Sequence, residues 1–200
     1  MVRAMRILGL AGSLRAQSIH REILRAMVRV VPSGMTIDVD DRIRALPLFN
    51  PDQEMAEILA VEAFRAALRE ADGVIIACPE YAHGVPGAFK NALDWVVASG
   101  EFIDKPFMQV SANARGDHAR ASVAETLITM NAHWVPEAAI QLALPNAPTS
   151  ADAICADPTY VATLQLGLER LAKAIVAAEA IKAGGDVLPP PLLRPVFPIA

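Results

Sequence analysis

Only two of the 200 residues are cysteine, Cys78 and Cys155. That excludes a disulfide framework, and neither residue belongs to a CxxC pair of the zinc-binding or redox kind. An excess of positive charge is also lacking. The 18 basic and 22 acidic side chains leave a formal net charge of −4, with no general attraction to nucleic acid or anionic lipid. No apolar run approaches the roughly 18–20 residues that span a bilayer. HExxH is missing, as are the Gly-Lys-Ser/Thr ending of a P-loop and the GxGxxG of a dinucleotide turn. Spacing places no Ser-His-Asp or Cys-His constellation, so zinc chemistry, triphosphate binding and nucleophilic hydrolysis find little support.

What is present suits a packed globular domain: 54% of residues are hydrophobic and 20% charged. The length fits one domain, expected over residues 1–185, followed by an extended Pro-rich tail at 186–200. The opening Met-Val-Arg-Ala-Met-Arg and the apolar residues after it loosely imitate a secretory leader. The apolar part is short and runs straight into a polar loop, so it is assigned as a first strand and a cytoplasmic location is expected.

Apolar patterning predicts an alternating order of strands and helices. Residues 5–10 are the first strand, and Ile19, Ile23, Met27 and Val30 mark a helix over 18–31, stopped by Pro32-Ser33-Gly34. A second strand is expected at 35–39, a long loop at 42–54, and a helix marked by Ile58, Val61, Phe64 and Leu68. Residues 73–78 have the continuous apolar character of a parallel strand covered on both faces. Pro86-Gly87 opens a helix carrying Phe89 and Leu93. A fourth strand at 107–111, a helix through Val123, Leu127 and Met130, and a fifth strand within 134–144 follow. Val161, Leu164, Leu168, Leu171 and Ile175 mark a last helix, ended by Gly184-Gly185. The economical solution is a three-layer α/β fold with five parallel strands and right-handed crossovers.

Two loops carry the polar chemistry, and each follows a strand and opens a helix. In open parallel sheets such loops line the ligand crevice. Residues 12–18, Gly-Ser-Leu-Arg-Ala-Gln-Ser, offer hydroxyls from Ser13 and Ser18, the Arg15 guanidinium, Gln17 and the free N–H groups of a helix start. That set suits a phosphate. The plainer alternative makes Ser18 a helix cap and Arg15 a solvated charge. Residues 79–87, Pro-Glu-Tyr-Ala-His-Gly-Val-Pro-Gly, combine backbone rigidity with close approach at Gly84 and Gly87, which suits a flat polar ring. Together the loops point to a planar cofactor with a phosphate, and FMN is the candidate.

Residues 12–18, together with the block from Pro79 to Trp95 that continues Ala-Phe-Lys-Asn-Ala-Leu-Asp-Trp after Gly87, resemble the NADPH-dependent FMN reductase family of flavodoxin-like proteins. The resemblance extends over residues 5–180 through the order of elements. It implies a sheet order of 2-1-3-4-5, FMN as cofactor, NADPH or NADH as electron donor, and a homodimer or homotetramer with the flavin near an interface. It also implies that Ser13, Arg15 and Ser18 hold the phosphate, and that Pro79, Glu80, Tyr81 and Gly84 hold the isoalloxazine. Gln17, Ala82 and His83 complete the two loops, and Ser111 and Asn113 are the expected contacts after the fourth strand. Two departures are visible: His20 stands where the family often has Asn, and residues 111–117 carry one glycine where many relatives carry a pair.

The remaining chemical groups have plainer assignments. Hydride transfer through a flavin needs no general acid, so His83 is assigned to the loop or an interface, His118 to the surface and His133 to structure. Cys78 is expected in the core. Phe89, Leu93 and Trp95 are expected in the core or a subunit interface, with Trp95 also a candidate wall of the ring site. Lys90 and Asp94 have the spacing of a surface helix pair. The implied activity is ping-pong hydride transfer from NAD(P)H to a quinone, flavin, azo compound or metal ion. The alternatives are a flavodoxin-like electron carrier with a protein partner and a non-catalytic flavin-binding domain.

Overall fold

A computed structural model of the chain describes residues 3–54, 56–112, 116–145 and 149–184. Gly73–Ala77 forms β3, and all five of its residues are buried. It pairs in parallel with β1 (Met5–Ala11) on one side and with β4 (Pro106–Ser111) on the other. β2 (Met35–Asp40) joins the outer edge of β1 in register Ile7 to Ile37. The order is β2-β1-β3-β4-β5, with every pairing parallel. This is the implied 2-1-3-4-5 arrangement.

Successive side chains on a strand point to opposite faces, and here the two faces become two cores. Ile7, Ala11, Ile75 and Ala77 face one cluster with Ile23, Leu24 and Met27 of α1 (Ile19–Val30). Leu164, Leu168, Leu171 and Ile175 of the last helix join that cluster. Leu8, Leu10, Val74 and Ile76 face the other, with Phe64 and Leu68 of α2 (Leu59–Glu70). Phe89 and Leu93 of α3 (Gly87–Asp94) and Val123 and Leu127 of α4 (Asp117–Thr129) complete it. The result is the expected three-layer sandwich.

The fifth lane differs from the single strand expected within 134–144. It consists of β5 (His133–Trp134) and β6 (Ile140–Gln141), each paired with β4, so the sheet has six strand segments. Pro136 explains the break. It has no N–H for the ladder and opens a tight turn over Pro136–Ala138. A short helix absent from the sequence prediction, α5 (Ala151–Ala156), precedes α6 (Pro158–Ala183). Six residues are too few to display helical periodicity. The α5 start is held to α1, where Glu22 Oε2 accepts the Ala151 N–H at 2.9 Å and Arg29 pairs with Asp152. The Pro-rich tail lies outside the described residues.

β1 has β2 on one side and β3 on the other, so the connections leaving β1 and β3 diverge to opposite faces. That divergence opens a crevice at their carboxyl ends. The two polar loops leave those ends.

Candidate functional site

Gly12 closes β1 against β3, donating its N–H to the Ala77 carbonyl at 2.9 Å. A Cβ here would stand 2.5 Å from Cys78 Sγ. The glycine is therefore required by close approach. Ser13 is buried, with Oγ accepting the Arg15 N–H at 3.3 Å and lying 3.1 Å from the Tyr81 hydroxyl. Ser18 is also buried and occupies the N-cap position of α1 with an extended backbone, but its side chain makes no capping bond. The N–H groups at the helix start are thus not capped by Ser18, and the positive end of the helix dipole stands behind them. The plainer expectation, that Ser18 serves as a cap, is not what the structure has.

Arg15 and Gln17 are exposed, and Gln17 borders a cavity of about 440 Å³ with Ile19, Glu22, Arg25 and Ser150. Arg44, from the long loop after β2, donates to the Leu14 carbonyl at 3.3 Å and ties that loop to the first one. The same long loop is fixed to α3. Asn91 accepts from Phe49 N–H at 2.8 Å and donates to the Pro47 carbonyl at 2.9 Å, which also accepts from Trp95 Nε1 at 2.8 Å. Trp95 is buried, so it serves the core and this clamp. His20 is half-buried, and burial pushes its pKa down to about 4, leaving it neutral at physiological pH.

The second loop contains a tight turn from Tyr81 to Gly84, closed by N–H to carbonyl bonds of 2.9 and 3.0 Å in the two directions. Its central residues, Ala82 and His83, have φ of 50° and 60°. The left-handed positions expected of glycine are thus held by two side-chain-bearing residues, at a cost of roughly 1–2 kcal/mol each. Gly84 follows the bend without a left-handed φ of its own. Tyr81 is half-exposed, with its hydroxyl turned back to Ser13. Cys78 is buried and donates to the Pro79 carbonyl, and burial pushes its thiol up to about 12. It is an inert core residue, as expected.

Glu80 is turned towards α4. Its Oε2 accepts the Ala119 N–H at 3.0 Å, supplying the acceptor that Gly116, the N-cap residue, has no side chain to provide. Ser111 is buried and its Oγ accepts from Arg120 Nη1 at 3.1 Å, while Arg120 also pairs with Asp117. Burial lowers the Arg120 pKa against the opposing effect of Glu80. His83 stacks on His118, with ring centroids 4.5 Å apart and planes at 22°. Asn113 lies outside the described residues. Lys90 and Asp94 form the expected exposed pair.

Ser13 and Tyr81 are thus brought together at the crevice and Ser18 opens α1 at the end of the first loop, while Glu80, Ser111 and His83 are engaged with α4 or its neighbours. The Asn91 clamp escaped sequence reasoning because its partners, Pro47 and Phe49, lie in a loop distant in the chain; the Arg120 contact with Ser111 depends on how α4 folds back on the end of β4. Hydroxyls, an exposed guanidinium and a helix start that Ser18 does not cap suit a phosphate monoester, and a braced loop rich in backbone groups suits a planar ring. The donor set therefore fits FMN. Among the described residues, no group of three or more His, Cys, Asp or Glu side chains is placed to hold a metal ion.

Residues 5–149 match the model of a family described as NADPH-dependent FMN reductase. An NAD(P)H-dependent FMN reductase of Pseudomonas aeruginosa is 37% identical over 135 residues, covering 64% of this chain and 72% of that one. A quinone reductase of Escherichia coli is 37% identical over 98 residues, 48% of this chain and 52% of that protein, about half its length. Among solved structures, the flavoenzyme FerB, an NAD(P)H:(acceptor) oxidoreductase of Paracoccus denitrificans, superposes with a TM-score of 0.77. That match covers 87% of this chain and 98% of FerB at 19% identity, a likeness of fold.

Proposed function

Because the chain belongs to the NADPH-dependent FMN reductase family, we propose that it passes electrons from NAD(P)H through bound FMN to a small acceptor of the quinone class. The observation that carries this is the 3.1 Å contact between Ser13 Oγ and the Tyr81 hydroxyl, which joins a phosphate-type loop to a ring-type loop in one crevice. FMN, when bound, supplies the hydride acceptor and electron relay. The chain supplies its cradle.

Ser13, Arg15, Gln17, Ser18 and the free N–H groups of α1 hold the phosphate. Pro79, Glu80, Tyr81, Ala82, His83 and Gly84 line the ring, mainly through their backbone. The Glu80 carboxylate locks that loop to α4, and Ser111 does the same for the end of β4 through Arg120. No protein nucleophile is needed, consistent with the inert Cys78. Nicotinamide and acceptor would occupy the site in turn, which would give ping-pong kinetics. A homodimer or homotetramer would cover exposed apolar side chains such as Leu48, Leu59 and Val97. A cytoplasmic location agrees with the absence, among the described residues, of any helix long and apolar enough to cross a membrane.

Initial rates varied in both NADPH and benzoquinone test alternating occupancy. Parallel double-reciprocal lines are expected; intersecting lines would rule it out.

A further inference from the structure

We propose that His83 is the acid that completes reduction of a quinone-type acceptor, and that His118 positions its ring. The proposal rests on the FMN-reductase reading above and names a proton donor for its second half.

His83 belongs to the loop leaving β3, and His118 to the first turn of α4, which follows β4. β3 and β4 are neighbours in the sheet, so the pair stands at the carboxyl edge beside Tyr81. Both imidazoles are exposed, yet they stack at 4.5 Å with nearly parallel planes. Two separate constraints produce that stack. His83 holds a left-handed backbone, a strained conformation of a kind that concentrates at functional sites. Glu80, three residues earlier, accepts the N–H of Ala119 and so fixes the turn of α4 that carries His118. One loop thus presents the first imidazole and places the second.

A quinone leaves as hydroquinone only after gaining two electrons and two protons. A hydride equivalent, originating in NAD(P)H, brings both electrons and one proton to one quinone oxygen. The other oxygen needs a proton, and a new O–H bond forms there as an imidazolium N–H bond of His83 breaks. Solvent then reprotonates the imidazole. Hydride transfer to the flavin needs no such acid, but release of the reduced acceptor does. Imidazole suits the task because its ordinary pKa lies nearest neutrality. Among the described residues, the charged and titratable groups on the two segments that carry the pair are Glu80, Tyr81, Asp117 and Arg120.

The test uses FMN-loaded enzyme reduced anaerobically by NADPH, then reoxidised by benzoquinone or by ferricyanide, which takes single electrons and no proton. His83→Asn is the first variant, since Asn tolerates the left-handed region and preserves the turn. The ratio of benzoquinone to ferricyanide reoxidation rates is expected to fall by about 10-fold or more in His83→Asn. It should fall less in His118→Gln, and in wild type it should decline as pH rises. An unchanged ratio in His83→Asn would overturn the proposal. A second readout needs no flavin: NMR titration of the imidazole ring protons, in which His118→Gln is expected to move the His83 midpoint. An unmoved midpoint would overturn the positioning role of His118. Wild-type protein that NADPH fails to bleach would overturn the underlying FMN-reductase reading, and this proposal with it.

Discussion

The Tyr81 hydroxyl stands 3.1 Å from Ser13 Oγ, joining two loops separated by 68 positions in the chain. Ser13 also accepts the Arg15 N–H, so its hydroxyl connects the turn of the first loop to the ring wall of the second. Phosphate and ring subsites built this way should respond to each other.

Ser13→Ala and Tyr81→Phe are each expected to weaken FMN binding, and the losses should not add. A double-mutant cycle on the dissociation constant, followed by flavin fluorescence, should give a coupling of about 0.5–1.5 kcal/mol. Additive losses would mean that the two loops act independently.

Arg15→Ala should raise the FMN dissociation constant by roughly 10–100-fold, the usual range for one charge-assisted hydrogen bond. The side chain is exposed, so stability of the flavin-free protein should stay within about 0.5 kcal/mol. Titration with FMN and a urea melt, run together, separate the two effects. Unchanged affinity would remove Arg15 from the phosphate subsite.

Gly12→Ala should destabilise the fold by about 1–3 kcal/mol through overpacking, because its Cβ would meet Cys78 Sγ at 2.5 Å. Adding Cys78→Ala removes that sulfur and should recover part of the loss in urea midpoints. No recovery would move the conflict to the Cys78 backbone, whose Cα would lie 3.1 Å from the new Cβ.

His20 confers a specific acid sensitivity. Burial lowers its pKa from 6.5 to about 4, so between those values the unfolded chain binds the proton and the folded one does not. Stability is therefore full above pH 6.5, falls as pH drops towards about 4 and levels off below that, by roughly 3 kcal/mol in total. His20→Asn should remove that part of the slope. Urea midpoints of both proteins across the interval, compared by difference, check it.

Much of the fold was legible because its signals are local. Gly73–Ala77 stands out as a continuous apolar run, and α1 as a set of residues three and four apart. The divided fifth lane was less legible, since Pro136 sits within a segment that is mostly apolar. At the site, residue types revealed the two loops but not their partners. Nothing near Glu80 in the chain announces Ala119, and nothing near His83 announces His118, because both contacts depend on β3 and β4 lying side by side. The left-handed positions also escaped notice. They fall on Ala82 and His83 because closure of the Tyr81–Gly84 turn dictates φ there, whatever the residue type.

The most direct measurement is the visible spectrum of the purified protein after FMN addition and desalting, followed by anaerobic NADPH and, separately, NADH. The account predicts retained yellow absorbance that bleaches rapidly with at least one donor. Retained colour that neither nucleotide bleaches would contradict it and indicate an electron carrier reduced by a protein partner; no retained colour, together with no binding on direct titration, would remove FMN from the account altogether.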